Sequence, residues 1–166
     1  MRSYGSFELA QEGIRDIVRW HLSLCGGPEC PAVGLRKLAK TLHIRLVSEP
    51  FPEDREFTGA AFMSDDGFQL IVVNSLLKPA RWRFTVAHEI GHIIMEHRPP
   101  RNDAHEKLAN YYAAELLMPA DQVMREVQRW GTDNLEFIAG LHGVSITAMR
   151  LRIQELACEI VNLRVI

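Results

Sequence analysis

Two histidines four residues apart, His88 and His92, with Glu89 directly after the first, are the residues of this chain best suited to chemistry. They lie in the run Thr85-Val86-Ala87-His88-Glu89-Ile90-Gly91-His92-Ile93-Ile94, apolar enough to be a helix set in a core. Side chains at i and i+4 of an α-helix stand one turn apart on one face, so both imidazoles can aim a nitrogen at one point. Such a pair suits zinc, which takes His, Cys and carboxylate donors in a tetrahedron. Glu89 can reach a water held at that metal without being a ligand, which is the general-base position in metal-assisted peptide hydrolysis.

A catalytic zinc site needs a third protein donor and keeps one position open. The downstream candidates are Glu96, His97, His105, Glu106 and Glu115. His97 is nine residues past His88 and falls on the opposite side of a straight helix, where it reads as a C-terminal histidine near the dipole. Glu106 and Glu115 are also nine residues apart, so only one of them can face the metal. Glu106 shares its stripe with Ala109, Asn110 and Ala113, whereas Glu115 sits with Leu108, Tyr111 and Tyr112. Small residues permit close approach to the motif helix, which favours Glu106. Asn110, one turn on, can accept the Nδ1 proton of a ligating histidine and so fix its tautomer. Gly91 costs about 1 kcal/mol relative to Ala inside a helix, and close contact with a second helix is the expected reason for it.

The elements that must position these groups follow from periodicity and punctuation. Apolar residues at helical spacing predict a helix from about Phe7 to Leu24 and another from Val33 to Leu42, followed by a short strand from His43 to Val47. Thr58 to Met63 and Phe68 to Val73 flank Ser64-Asp65-Asp66-Gly67 and predict a β-hairpin, giving a sheet of about three strands. An edge of that sheet can pair with an extended peptide. The motif helix starts at Pro79 and should run to His97, before Pro99-Pro100. Asp103 is the expected N-cap of a helix from Ala104 to Met118, and Ala120 to Trp130 forms another that Gly131 caps.

Residues Asp133 to His142, the turn Gly143-Val144, and a helix from Ser145 to Leu156 have helix-turn-helix form. Arg150 and Arg152 are the basic side chains there and are offset by Glu155 and Glu159, which argues against direct DNA binding. The expected organisation is a metal-binding catalytic domain over residues 1–130 with a helical extension over 131–166 packed on the same unit.

Across the 166 residues the formal net charge is -2, so no broad basic surface is available for nucleic acid. No apolar run reaches membrane-spanning length and the first residues lack an apolar signal core, so a soluble cytoplasmic protein is expected. Cys25, Cys30 and Cys158 are an odd number, which argues against a disulfide framework and leaves thiols beside a Gly-Pro turn. Oligomeric state has no signature in the sequence.

Arg81-x-Arg83-Phe84-Thr85-x-Ala87-His88-Glu89-x-Gly91-His92, followed by Glu106-x-x-Ala109-Asn110-x-x-Ala113-Ala114-Glu115-Leu116-Leu117-Met118-Pro119, resembles the ImmA/IrrE family of metallopeptidases. The hairpin over residues 59–74 is similar as well. The resemblance implies an α+β, zincin-like fold with zinc on His88, His92 and Glu106 and with Glu89 as catalytic base. It also implies a protein substrate, a helix-turn-helix repressor in phage, mobile-element or stress-response control. A donor for the tetrahedral oxyanion is expected among Tyr111, Tyr112, His105 and Arg83. The rival reading is a zinc-bound regulator that binds a partner or DNA through its C-terminal helices without cutting, and Glu89 speaks against it because a structural site needs no base. A His, His, Glu set also accepts other divalent ions.

Overall fold

In a computed structural model of the chain, which describes residues 4–26, 34–54 and 56–163, the motif helix is sandwiched between a small sheet and a second helix. The first helix, α1 (Tyr4–Cys25), and a short α2 (Leu35–Thr41) precede strand β1 (Arg45–Glu49) and the hairpin β2 (Gly59–Met63) and β3 (Gln69–Asn74). The strands lie in the order β1-β3-β2, with β1 parallel and β2 antiparallel to the central β3. Helices α3 (Pro79–Ile94), α4 (Asp103–Leu117) and α5 (Ala120–Trp130) follow, then a 3-10 turn (Thr132–Asn134) and the pair α6 (Leu135–His142) and α7 (Ile146–Leu163). This is the expected α+β arrangement with a three-stranded mixed sheet.

Sheet register puts Ala61, Ile71 and Val73 on one face, and all three are buried against α3. From the other side α3 receives α4, and α1 packs behind α4. Val86, Ile90 and Ile93 of α3 interlock with Tyr112, Ala113 and Leu116 of α4 in one core, the apolar stripes that helical periodicity calls for.

Two predicted boundaries move for one physical reason. The strand expected from His43 begins only at Arg45, and the motif helix expected to reach His97 ends at Ile94. In both places a non-glycine residue takes the left-handed conformation, His43 at φ 59° and Glu96 at φ 54°. Ile44 N–H donates to Ala39 O and His43 N–H to Lys40 O; likewise His97 N–H donates to His92 O and Glu96 N–H to Ile93 O. These are Schellman caps, which satisfy the last carbonyls of a helix and turn the chain back on itself. The residue at the left-handed position is usually Gly, so neither stop is signalled by residue type. Asn102, not Asp103, caps α4, accepting the His105 N–H through its side chain at 2.9 Å.

The C-terminal pair forms as expected, with Gly143 left-handed at φ 63° and Ser145 Oγ accepting the Ala148 N–H at 3.1 Å. Arg152, however, does not face outward. It is fully buried, bonded to the Glu115 carboxylate, with its Nε donating to Met118 O at 3.1 Å. Glu115 Oε1 in turn accepts the Ala120 N–H at 3.1 Å. Only Arg150 of the two expected basic side chains is exposed. A buried carboxylate recruits Arg152 as its counter-charge, since an uncompensated charge there would be costly. The thiols of Cys25 and Cys158 are both reduced, and Cys30 lies outside the described residues. No helix among the described residues is long and apolar enough to cross a membrane.

Behind α4, His21 of α1 is fully buried with Nδ1 2.6 Å from the Tyr112 hydroxyl. Burial lowers the His21 pKa to about 4 and pushes that of Tyr112 up. Unfolded, His21 takes its proton near pH 6.5, so between those values the unfolded chain binds more protons. The contribution of neutral His21 is therefore full above about pH 6.5 and declines by roughly 1.4 kcal/mol per pH unit toward pH 4. Denaturant melts of the metal-free protein between pH 7 and pH 4.5 should show at least this slope, since His92 and His97 are lowered as well, and His21→Gln should flatten it by about one proton. An unchanged slope would mean that His21 titrates normally in the folded protein.

Candidate metal centre

The centre is built where α3 and α4 lie closest. A Cβ added at Gly91 would stand 3.0 Å from Tyr112 Cδ1 and 3.3 Å from Ala109 Cα, so the glycine has the close-packing role that its position suggested. At this separation His88 and His92 on α3 meet Glu106 in the first turn of α4. His88 Nε2 lies 3.0 Å from His92 Nε2 and 3.2 Å from Glu106 Oε2, while His92 Nε2 lies 3.3 Å from Glu106 Oε1. Two imidazole nitrogens and a carboxylate therefore converge on one point. Donors about 2.0–2.1 Å from a tetrahedral zinc stand about 3.3–3.4 Å apart, so the three fit such an ion with adjustments of a few tenths of an ångström.

The outer contacts orient the rings for this. His88 Nδ1 is 2.9 Å from Asn110 Oδ1, an acceptor, so the hydrogen sits on Nδ1 and Nε2 keeps its lone pair. His92 is fully buried, and its pKa falls to about 3, chiefly through burial and then through the Arg101 charge. A neutral imidazole is the form that can donate to a metal.

His97 departs from expectation. The cap at Glu96 swings it under the helix it was expected to lie across, and its Nδ1 comes 3.1 Å from His92 Nδ1. Burial lowers the His97 pKa, with the neighbouring His105 and Arg101 acting in the same direction. Neutral His97 can accept the His92 Nδ1 hydrogen, leaving His92 Nε2 free to coordinate. His105 stacks on His97 at a centroid distance of 4.2 Å. Glu115, the rival to Glu106, is buried and engaged with Arg152 as described.

Glu89 is buried beside the three donors, with Oε2 3.2 Å from Arg101 Nη1. Arg101 was missed in the sequence because it sits in the polar loop before α4, where no periodicity assigns a direction. Glu89, Arg101, His88, Glu106 and Asn110 share the walls of one cleft with Thr58, Arg81, Phe84 and Thr85. Of the expected oxyanion donors, Tyr112 is bonded to His21, Tyr111 lies beneath the guanidinium groups of Arg15 and Arg152, Arg83 lies beside Gly143 and His105 stacks on His97, and none of the four is among the residues lining this cleft.

These contacts give separable outcomes in a zinc titration against a chromophoric chelator. Glu106→Ala should abolish tight binding, and Asn110→Leu should weaken it by about 10–100-fold while leaving one zinc per chain. Glu115→Gln should keep zinc affinity and lower thermal stability instead. Full zinc affinity in Glu106→Ala would dismiss the donor set.

A Mycobacterium tuberculosis transcriptional regulator of known structure superposes with a TM-score of 0.60 at 17% identity, over 83% of this chain and 45% of that one, a likeness of fold. The radiation response metalloprotease IrrE of Deinococcus radiodurans is 35% identical over 40% of this chain and 24% of its own length. IrrE of Deinococcus deserti is 35% identical over 40% of this chain and 28% of its own length. The matched stretch thus spans about a quarter of those curated relatives. Residues 39–154 match the model of the IrrE N-terminal-like domain, which contains both helices of the centre, and the chain belongs to that family, Peptidase M78.

Proposed function

We propose that the chain is a zinc-dependent endopeptidase in which His88, His92 and Glu106 hold the metal and Glu89 is the catalytic base. The observation that carries this reading is the convergence of three donor groups at 3.0–3.3 Å with a fourth, non-converging carboxylate beside them. A structural zinc site is closed by four protein ligands, whereas three donors leave a position open to solvent and substrate. When bound, zinc polarises the scissile carbonyl and acidifies a water at that open position.

The remaining work falls to side chains. Asn110 and His97 hold the hydrogens on the Nδ1 atoms of His88 and His92, which keeps both Nε2 lone pairs directed at one point. Glu89 takes a proton from the attacking water as its oxygen bonds to the carbonyl carbon, and returns the proton to the nitrogen when the C–N bond breaks. Its near-complete burial excludes bulk water from that transfer.

For the substrate we assign a helix-turn-helix transcriptional repressor, as the family resemblance implies. Membership of the family and the name of the Deinococcus relatives, radiation response metalloprotease, support a regulatory setting. We assign residues 131–166 to a helical extension that packs on the catalytic domain of residues 1–130, supported by the buried bond between Arg152 and Glu115. Zinc-loaded protein incubated with the repressor encoded beside its gene should produce discrete fragments on a denaturing gel. Glu89→Gln should retain zinc and cut at least about 100-fold more slowly. Equal cleavage by both proteins would sink the mechanism.

A further inference from the structure

β2 is an edge strand, and its pairing with β3 decides which of its backbone groups are free. Ser64 N–H donates to Phe68 O and Asn74 N–H donates to Thr58 O, so alternate positions from Thr58 to Ser64 turn their polar groups toward β3. Those of Gly59, Ala61 and Met63 point away from the sheet. A Cβ on Gly59 would meet Thr85 Cγ2 at 2.6 Å, so the missing side chain lets this edge lie directly on the motif helix. One outward acceptor is already engaged. Arg101 Nη2 donates to Ala61 O at 3.3 Å while its Nη1 donates to Glu89 at 3.2 Å.

The guanidinium is under-used in this position. Both bonds exceed the roughly 2.7–2.9 Å of a well-made charge-assisted hydrogen bond. Its Nε is buried with no hydrogen-bond partner. Leaving a buried donor of a charged group unmet is costly unless another acceptor arrives. The group that would complete it is an oxygen bearing negative charge, close to Glu89 and to the strand edge. Hydrolysis of a peptide beside Glu89 would generate such an oxygen, and Arg101 lines the cleft whereas the four other candidate donors do not.

We propose that Arg101 binds the carbonyl oxygen of the scissile peptide bond as that oxygen becomes an oxyanion, its contacts with Glu89 and Ala61 holding it ready. This rests on the peptidase reading and deepens it. A peptide N–H pairing with Ala61 O displaces Nη2, which then donates to the peptide's own carbonyl oxygen, while Nη1 stays on Glu89. As the water oxygen bonds to the carbonyl carbon, the π pair moves onto the oxygen facing Arg101. That pair returns as the C–N bond breaks and the amine leaves with the proton carried by Glu89.

The test uses binding, so it does not depend on turnover. N-phosphoryl-leucinamide presents a tetrahedral anion in place of a peptide carbonyl, and imidazole presents a neutral donor to the metal alone. Calorimetry on zinc-loaded protein should show Arg101→Ala weakening the phosphoryl compound by about 100-fold, Arg101→Lys recovering part of the loss, and imidazole affinity and zinc content unchanged. In the repressor assay Arg101→Ala should lower kcat and spare KM. Undiminished phosphoryl binding by Arg101→Ala, equal loss of imidazole binding, or no phosphoryl binding by the native protein each overturns the assignment. If the native protein cleaves repressor while Arg101→Ala binds the phosphoryl compound normally, Arg101 alone loses its role. Absence of cleavage by the native protein removes the peptidase reading itself.

Discussion

The separation of α3 and α4 at Gly91 is the constraint on which the centre depends. All three converging donors are split across that interface, two on α3 and one on α4, and His88 also reaches Asn110 on α4. A methyl group at position 91 would press on the Tyr112 ring and the Ala109 backbone, forcing the helices apart or tilting them. Donor spacings of 3.0–3.3 Å leave only a few tenths of an ångström before they exceed those around a tetrahedral ion. The cost of a glycine in a helix interior, about 1 kcal/mol, is offset by an arrangement in which one packing distance sets the distances from both histidines to Glu106.

Helix α4 serves two opposed environments, and the nine-residue separation of Glu106 and Glu115 is what makes that possible. Glu106 is about half exposed at the mouth of the cleft, where the helix N-terminus favours a carboxylate. Glu115 is buried on the other side with Arg152, which ties α7 to α4. Replacing Glu115 would remove the close counter-charge of buried Arg152 and leave it only Glu155 at 3.6 Å, so the Glu115–Arg152 pair fixes where the C-terminal helices sit. The same helix therefore anchors the C-terminal pair and supplies the third donor, and Tyr112 between them carries the contact through to His21 on α1.

Local pattern made much of this legible. The four-residue spacing of His88 and His92, the Asp66-Gly67 turn and the stop at Gly131 are short-range signals, and each lies where the sequence reading put it. The choice of Glu106 over Glu115 for the cleft followed from helical arithmetic. What escaped depends on chain reversal or on distant partners. His43 and Glu96 adopt a left-handed conformation with no glycine to announce it, and the second of these brings His97 onto His92. Arg152 looked like a surface base because its partner lies 37 residues earlier in the chain. Arg101 belongs to a loop whose direction only the fold determines.

The small residues of β2 satisfy two demands that would otherwise conflict. On the inner face, Gly59 and Ala61 must be small for the strand to rest on α3, since a larger side chain would lift the sheet from Thr85 and Ile90. Along the outer edge, the same strand has to present backbone rather than bulk toward the cleft, because an incoming extended chain pairs through its main-chain groups. An unpaired edge is also a liability, since it invites association with any exposed strand. Arg101 resolves that conflict by occupying the Ala61 carbonyl with a charged side chain that a correctly placed peptide can displace. Edge protection, orientation of Glu89 and the supply of positive charge to the cleft then follow from one guanidinium held between a strand and a helix.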